Sequence, residues 1–354
     1  MSIEGAASAA ALAVGRTAAI FGCAGPTLSA EERDFFRATD PAGFILFKRN
    51  CDNPIQVRAL VTALRAAVDR PTAPVLIDQE GGRVQRLGPP HWRRYPPGRA
   101  YGDLPANDLL GRREVTRLGA RLIAHDLAAL GINVDCAPVL DVPQPGAHDI
   151  IGDRAYALGP DEVATLGRAA AEGLIAGGVL PVIKHVPGHG RSHADSHEHL
   201  PVVEASLAEL RATDFQPFRV NSDMPMAMTA HVVYAAIDPR RPATTSRKVI
   251  GEIIRGEIGF DGVLMSDDLS MKALSGDFAE RARASLAAGC DVVLHCNGSM
   301  AEMTAVAGGA RPLAGAALRR TRAAMGRLAR APEPFDVDAA RARFAAAFEG
   351  RWAA

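Results

Sequence analysis

The chain has 354 residues, 48% of them hydrophobic, and its 40 basic residues balance its 40 acidic ones. That length allows one large domain or two smaller ones, with enough apolar residues for a sizeable core. Zero net charge provides no electrostatic footprint for nucleic acid or an anionic membrane surface, so neither is expected as a partner.

Short apolar runs recur along the chain and predict strands at residues 18–21, 43–47, 75–77, 132–135, 182–185, 227–231, 263–266 and 291–295. Each is continuously apolar, as in strands buried on both faces. Amphipathic stretches between them predict helices at 54–70, 107–130, 161–177, 206–220, 246–257 and 271–288. In the first, Ile55, Val57, Leu60, Val61 and Leu64 fall near helical spacing. Asp161 follows Pro160 and can open its helix, which Gly177 and Gly178 can close. The Ala/Arg-rich tail beyond Pro332 predicts a last helix packed on the outside.

Strands alternating with helices eight times over predict an α/β fold, a single-domain (β/α)8 TIM barrel over residues 1–354 with a helical extension from about 332. The rival is a doubly wound open sheet, which would carry a Gly-rich phosphate loop after its first strand. The segment from Phe21 to Pro26 lacks that spacing, and no Walker-type motif occurs. No linker divides the chain, and the Pro/Gly-rich stretches 88–102 and 143–152 fit long loops at strand ends.

Cys23, Cys51, Cys136, Cys290 and Cys296 are odd in number and form no Cys-x-x-Cys, which predicts reduced thiols in a cytoplasmic protein. The Ala-rich start carries Glu4 and no basic lead, so no secretory signal is expected. No apolar run has transmembrane length. Arg93, Arg94 and Arg99, interrupted by proline beside Trp92 and Tyr95, read as solvated loop charges.

A barrel binds its substrate at the C-terminal ends of its strands, and polar residues gather there. The predicted ends carry Asp78, Glu80 and Arg83; Asp135 with Asp141; Lys184 and His185; His231; Asp267 and Asp268; and His295 with Asn297. Asp267 follows a buried run, so its carboxylate would enter a low-dielectric mouth as nucleophile, base or metal ligand. Of the pair, one aspartate can cap a helix starting near Ser270 while the other points inward.

Residues 184–199 hold five of the ten histidines. In an extended segment Asp195 and His197 share a face, so the carboxylate can orient the imidazole as a general acid/base dyad. His193, His197 and His199 with Asp195 could alternatively bind zinc in a metal-dependent hydrolase, but His-Glu-x-x-His is absent, and no metal is expected. Asp195 and His197 lie across Gly188 and Gly190 in a segment expected to be free to move and to close over bound substrate. His189, His193 and His199 receive no role.

Five motifs in order, Ile77–Arg86, Ile151–Arg154, Lys184–Gly190, Asp195–His197 and Ser266–Met271, resemble those of glycoside hydrolase family 3. Within it the chain is similar to the bacterial single-domain β-N-acetylglucosaminidases of the NagZ type, along nearly its whole length. The resemblance implies a retaining exo-β-N-acetylglucosaminidase of cell-wall recycling, with Asp267 as nucleophile and His197, oriented by Asp195, as acid/base. It implies that Asp78, Arg86, Arg154, Lys184 and His185 hold the sugar. The implied substrate is N-acetylglucosamine β-1,4-linked to anhydro-N-acetylmuramic acid, with or without peptide. No cofactor is implied, and a monomer is expected. Val186 stands where the family usually has Phe, and Ala155 where Ser is common. A histidine acid/base repels anions less than a carboxylate would, so a phosphorylase of the same family is the near alternative, and a β-glucosidase another.

Overall fold

The eight apolar runs become eight parallel strands: β1 (Thr17–Phe21), β2 (Pro41–Leu46), β3 (Val75–Ile77), β4 (Val134–Asp135), β5 (Leu180–Val186), β6 (Met226–Thr229), β7 (Val263–Asp268) and β8 (Val292–His295). The structure, a computed structural model, describes residues 14–105, 109–192 and 199–351. Each strand pairs with its neighbour in sequence, and β8 closes on β1 with Ala19 opposite Val293 and Phe21 opposite His295. The fold is therefore a TIM barrel, and the open-sheet rival falls with that closure. Helices cover the outer face and side chains fill the inner one, so β2 and β5 are buried at every residue.

The helix Pro54–Ala67 illustrates how the outer layer forms. Asn53 caps it by accepting from the N–H groups of Ile55 and Gln56, and Pro54 occupies the first turn, where no N–H is needed. Val57, Leu60, Val61 and Leu64 are buried against the barrel, each worth about 1.5–3 kcal/mol. Ile55 is not part of that stripe and stays 75% exposed.

Three expected helices differ. The one predicted at 206–220 is two pieces, Leu207–Ala212 and Gln216–Val220, because Pro217 lacks an N–H and fits only the first turn of the second. The one predicted from residue 271 starts only at Phe278, where Asp277 and Glu280 form a capping box after Gly276 at φ 84°. At 161, Pro160 rather than Asp161 opens the helix. A helix at Ala30–Thr39 was not anticipated, although Ser29 and Glu32 form a capping box there too. The tail does form an outer helix, Val337–Ala347, whose Phe344 meets Tyr101 at 6.2 Å between ring centres. All five cysteines are free. Among the described residues no helix is long and apolar enough to cross a membrane.

The strand pairing becomes irregular where the polar residues gather. The β5–β6 register shifts between Lys184 and Val186, and the β7–β8 register between Met265 and Asp268. After β5 the chain is pinned as far as Ser192. The Tyr234 hydroxyl donates to the Gly188 carbonyl at 2.6 Å, Gln144 N–H to the Gly190 carbonyl at 3.0 Å, and His148 N–H to the Ser192 carbonyl at 2.7 Å. Arg191 is anchored by buried Asp214 at 2.7 Å.

Gly188 and Gly190 thus have packing reasons, while the segment expected to move, which bears Asp195 and His197, lies outside the described residues. A Cβ on Gly190 would stand 2.0 Å from the Val142 carbonyl oxygen, and Gly188 sits at φ 137°. Gly190→Ala should destabilise the protein by about 1–3 kcal/mol in urea unfolding, since backbone must yield to admit the methyl group. An unchanged midpoint and slope would contradict this packing role.

Candidate active site

Six residues singled out in the sequence, Asp78, Arg86, Arg154, Lys184, His185 and Asp267, line one cavity of about 260 Å³ at the C-terminal mouth of the barrel. Asp195 and His197, the expected dyad, lie outside the described residues, as does His193. His199 is exposed, whereas His189 is buried and lines the cavity.

One wall is a network of charges. The Lys184 ammonium lies 3.0 Å from Asp78 and 2.6 Å from Glu80. Arg86 meets the other oxygen of Asp78 at 3.0 Å. Arg154 grips Glu80 with two N–H groups, at 2.9 and 2.8 Å. Burial alone would raise both carboxyl pKa values, but the cations outweigh it. Lys184 and Arg86 hold Asp78 well below the usual carboxylate range, and Arg154 and Lys184 hold Glu80 at about 2. Burial opposes the Lys184 charge too, yet Asp78 and Glu80 raise its pKa. Asp78, Glu80 and Lys184 therefore stay charged at neutral pH.

Each arm of this network has a support. Gln79 accepts from the N–H groups of Arg86 and Leu87, both at 3.0 Å, and its own N–H donates to Asp135 at 3.0 Å. The Arg86 guanidinium also stacks over the Phe47 ring at 5.0 Å. Arg83, expected at the rim, bonds to Asp153 at 3.0 Å and to the Ile150 and Ile151 carbonyls, and so holds the loop that delivers Arg154.

His185 is fixed by Asp141, which accepts from its ring Nδ1 at 2.7 Å and from its backbone N–H at 3.1 Å. The same carboxylate takes the His189 N–H at 2.7 Å. Nδ1–H is thereby committed, and Nε2 is the nitrogen left for the cavity. Burial, reinforced by His185, lowers the His189 pKa to about 4, so that ring is neutral at pH 7.

The two aspartates of β7 divide their work. Asp268 accepts from the N–H groups of Ser270 at 3.0 Å and Cys296 at 3.2 Å. It stabilises a turn rather than the helix start expected near Ser270. Its carbonyl meets His231 Nε2 at 3.0 Å, while His231 Nδ1 lies 2.7 Å from the Thr244 hydroxyl. A carbonyl can only accept, so Nε2 carries the proton, and burial keeps that ring neutral by lowering its pKa. Asp267 is only partly buried and borders the cavity. A carboxylate there, in a cavity also lined by fixed cations, can act on a carbon held in it.

Sequence reasoning missed Glu80 and Asp141 as parts of the site, although both stood among its polar strand ends. Among the described residues no group of three or more His, Cys, Asp or Glu is placed to hold a metal ion.

The Glu80 shift has a pH signature. Its pKa falls from 4.5 to about 2 on folding, so between those values the unfolded chain holds more protons. The stability Glu80 contributes is complete above pH 4.5, falls as the pH drops, and is gone below about 2. Denaturation of Glu80→Gln across that window should show a shallower loss with falling pH than the unaltered protein. Equal slopes would contradict the assignment.

The model of the glycosyl hydrolase family 3 N-terminal domain matches residues 14–328. The β-hexosaminidase of Pseudomonas aeruginosa PAO1 is 42% identical over 276 residues, 77% of this chain and 80% of that protein. NagZ from Neisseria gonorrhoeae, solved with N-trifluoroacetyl-D-glucosamine, is 34% identical with a TM-score of 0.81, covering 96% of this chain and 99% of that one. The same gonococcal protein has been solved with a zinc ion. A family 3 β-N-acetylglucosaminidase from Paenibacillus is 32% identical with a TM-score of 0.77; the match covers 93% of this chain and 61% of that longer one.

Proposed function

The chain belongs to glycosyl hydrolase family 3, and from that premise we propose that it is a retaining exo-β-N-acetylglucosaminidase of the NagZ type. Its substrate is N-acetylglucosamine β-1,4-linked to anhydro-N-acetylmuramic acid, released in cytoplasmic cell-wall recycling by a monomer that needs no cofactor. One observation carries the reading: Asp267 borders the same cavity as the Asp78–Lys184–Glu80 network, while Asp268 is occupied with the turn.

A sugar is neutral but both donates and accepts hydrogen bonds, and that wall supplies both partners. Asp78 and Glu80 accept from hydroxyls; Arg86, Arg154, Lys184 and His185 donate to oxygens of the ring substituents and the acetamido group. A cavity of about 260 Å³ suits one sugar unit rather than a run of them, which favours removal of a terminal residue.

In the proposed reaction an Asp267 oxygen attacks C1 of the bound sugar. The C1–O bond to the leaving group breaks as His197, held by Asp195, gives that oxygen its proton. In the second step water attacks C1, its proton passes to His197, and the bond to Asp267 breaks. Two inversions return the original configuration.

Asp267→Ala should lower kcat on an aryl β-N-acetylglucosaminide by on the order of 10⁴-fold or more; retention of full activity would overturn the mechanism. His197→Ala should lose about 10²–10⁴-fold on poor leaving groups and much less on activated aryl ones, and equal losses would remove it as the acid. Added phosphate should yield free N-acetylglucosamine; a sugar 1-phosphate would make the protein a phosphorylase.

A further inference from the structure

Arg86 and Arg154 reach the sugar cavity from the two segments that follow β3 and β4. Inside the cavity these segments meet through the Arg154–Glu80 ion pair. A third segment, residues 95–102, touches both of them, although none of its described residues lines the cavity. The Tyr95 N–H donates to the side-chain oxygen of Gln85, next to Arg86, at 2.9 Å, and the Tyr95 carbonyl accepts the Gly82 N–H at 2.8 Å. Gln85 in turn donates to the Leu87 and Arg93 carbonyls, both at 2.6 Å, and so ties the chain on the far side of Arg86 to the same segment. Further along, the segment lies against the chain that carries Arg154. A Cβ on Gly98 would collide with the Arg154 carbonyl oxygen, and one on Gly102 with that of Tyr156. Arg99 donates to the Ala157 carbonyl at 3.2 Å. We propose that Tyr95 and Tyr101 are positioning residues for sugar binding, because they seat this bracket and, through it, Arg86 and Arg154; the role rests on the glycosidase reading above.

The two rings are held from outside the barrel. Both tyrosines are buried. The Tyr95 hydroxyl donates to Asp126, on the helix Leu109–Ala128, at 2.7 Å, and Arg341 of the C-terminal helix lies 3.8 Å from the same carboxylate. Phe344 of that helix meets the Tyr95 ring edge-on at 6.4 Å between centres. Tyr101 meets Phe348 at 5.4 Å and Tyr156 at 6.1 Å. Tyr156 is two residues from Arg154, so the Tyr101 ring bears directly on the chain that delivers the guanidinium. Close-packed rings have little room to shift one at a time, so a displacement of either tyrosine passes to the segments it touches.

The wall needs such a support for a geometric reason. Asp78 and Lys184 sit at the ends of barrel strands, where the ladder fixes them, whereas Arg86 and Arg154 stand on connecting segments outside it. Hydrogen bonds weaken steeply away from a narrow range of distance and angle, so a binding group must be held to within about 0.5 Å. Both arginines would hold the sugar alike before and during reaction. Loosening them therefore raises KM and leaves kcat nearly unchanged. A merely structural role does the opposite: it lowers the folded fraction, so kcat falls at constant KM.

Steady-state kinetics on an aryl β-N-acetylglucosaminide, well below the unfolding midpoint, separate the two. Tyr101→Ala should raise KM about 5- to 20-fold and change kcat by less than about twofold. Tyr101→Phe, which keeps the ring, should restore KM to within about twofold. Tyr95→Phe loses only the bond to Asp126 and should raise KM about threefold; it carries the test if Tyr101→Ala does not fold. Binding of N-acetylglucosamine, followed by calorimetry, should weaken in step with KM. Unchanged KM in the folded variants, or a fall in kcat alone, would overturn the proposal while leaving the glycosidase reading intact. If the unaltered protein neither cleaves the glycoside nor binds the sugar, that reading fails and the proposal falls with it.

Discussion

The structure of the site depends on one buried ammonium group. Lys184, at the end of β5, lies between Asp78 and Glu80, which leave β3 in succession. Arg154 and Arg86 close the set from two further segments. Removing one partner from such a buried ion network leaves an uncompensated charge and costs about 3–5 kcal/mol. Such a network tolerates little rearrangement. It fixes a wall of donors and acceptors in place before any ligand arrives, and that preorganisation is what recognition of a polar, uncharged ring requires.

A second tier holds this wall. Gln79 ties Arg86 to Asp135, Asp141 sets the His185 ring, and His231 holds the carbonyl of Asp268. Asp135 carries an electrostatic cost of burial. Burial raises its pKa to about 7, and one of its oxygens is buried without a hydrogen-bond partner among the described residues. It sits directly behind the charged wall, bonded to the Gln79 N–H.

Much of this was legible in the sequence, for identifiable reasons. Strands buried on both faces read as continuous apolar runs, so all eight appeared within a few residues of their places, and their polar ends marked the mouth. Residues whose neighbours in sequence are also their neighbours in space, such as Asp78 and Arg86, came with the site. Glu80 and Asp141 were harder because their roles exist only through Arg154, Lys184 and His185, which are far away in sequence. The division between Asp267 and Asp268 was foreseen as a possibility, but the turn that Asp268 holds was mistaken for a helix start. The packing role of the glycines after β5 was not legible, because the Val142 carbonyl beside Gly190 is far away in sequence.

The central claim is that Asp267 forms a covalent bond to the sugar. A 5-fluoro-N-acetylglucosaminyl donor with a good leaving group slows the second step more than the attack that forms the intermediate, so the glycosyl-enzyme should accumulate. Mass spectrometry of the trapped protein should then find one added sugar, and peptide mapping should place it on Asp267. A label on any other residue, or turnover with inverted configuration and no adduct, would contradict the account.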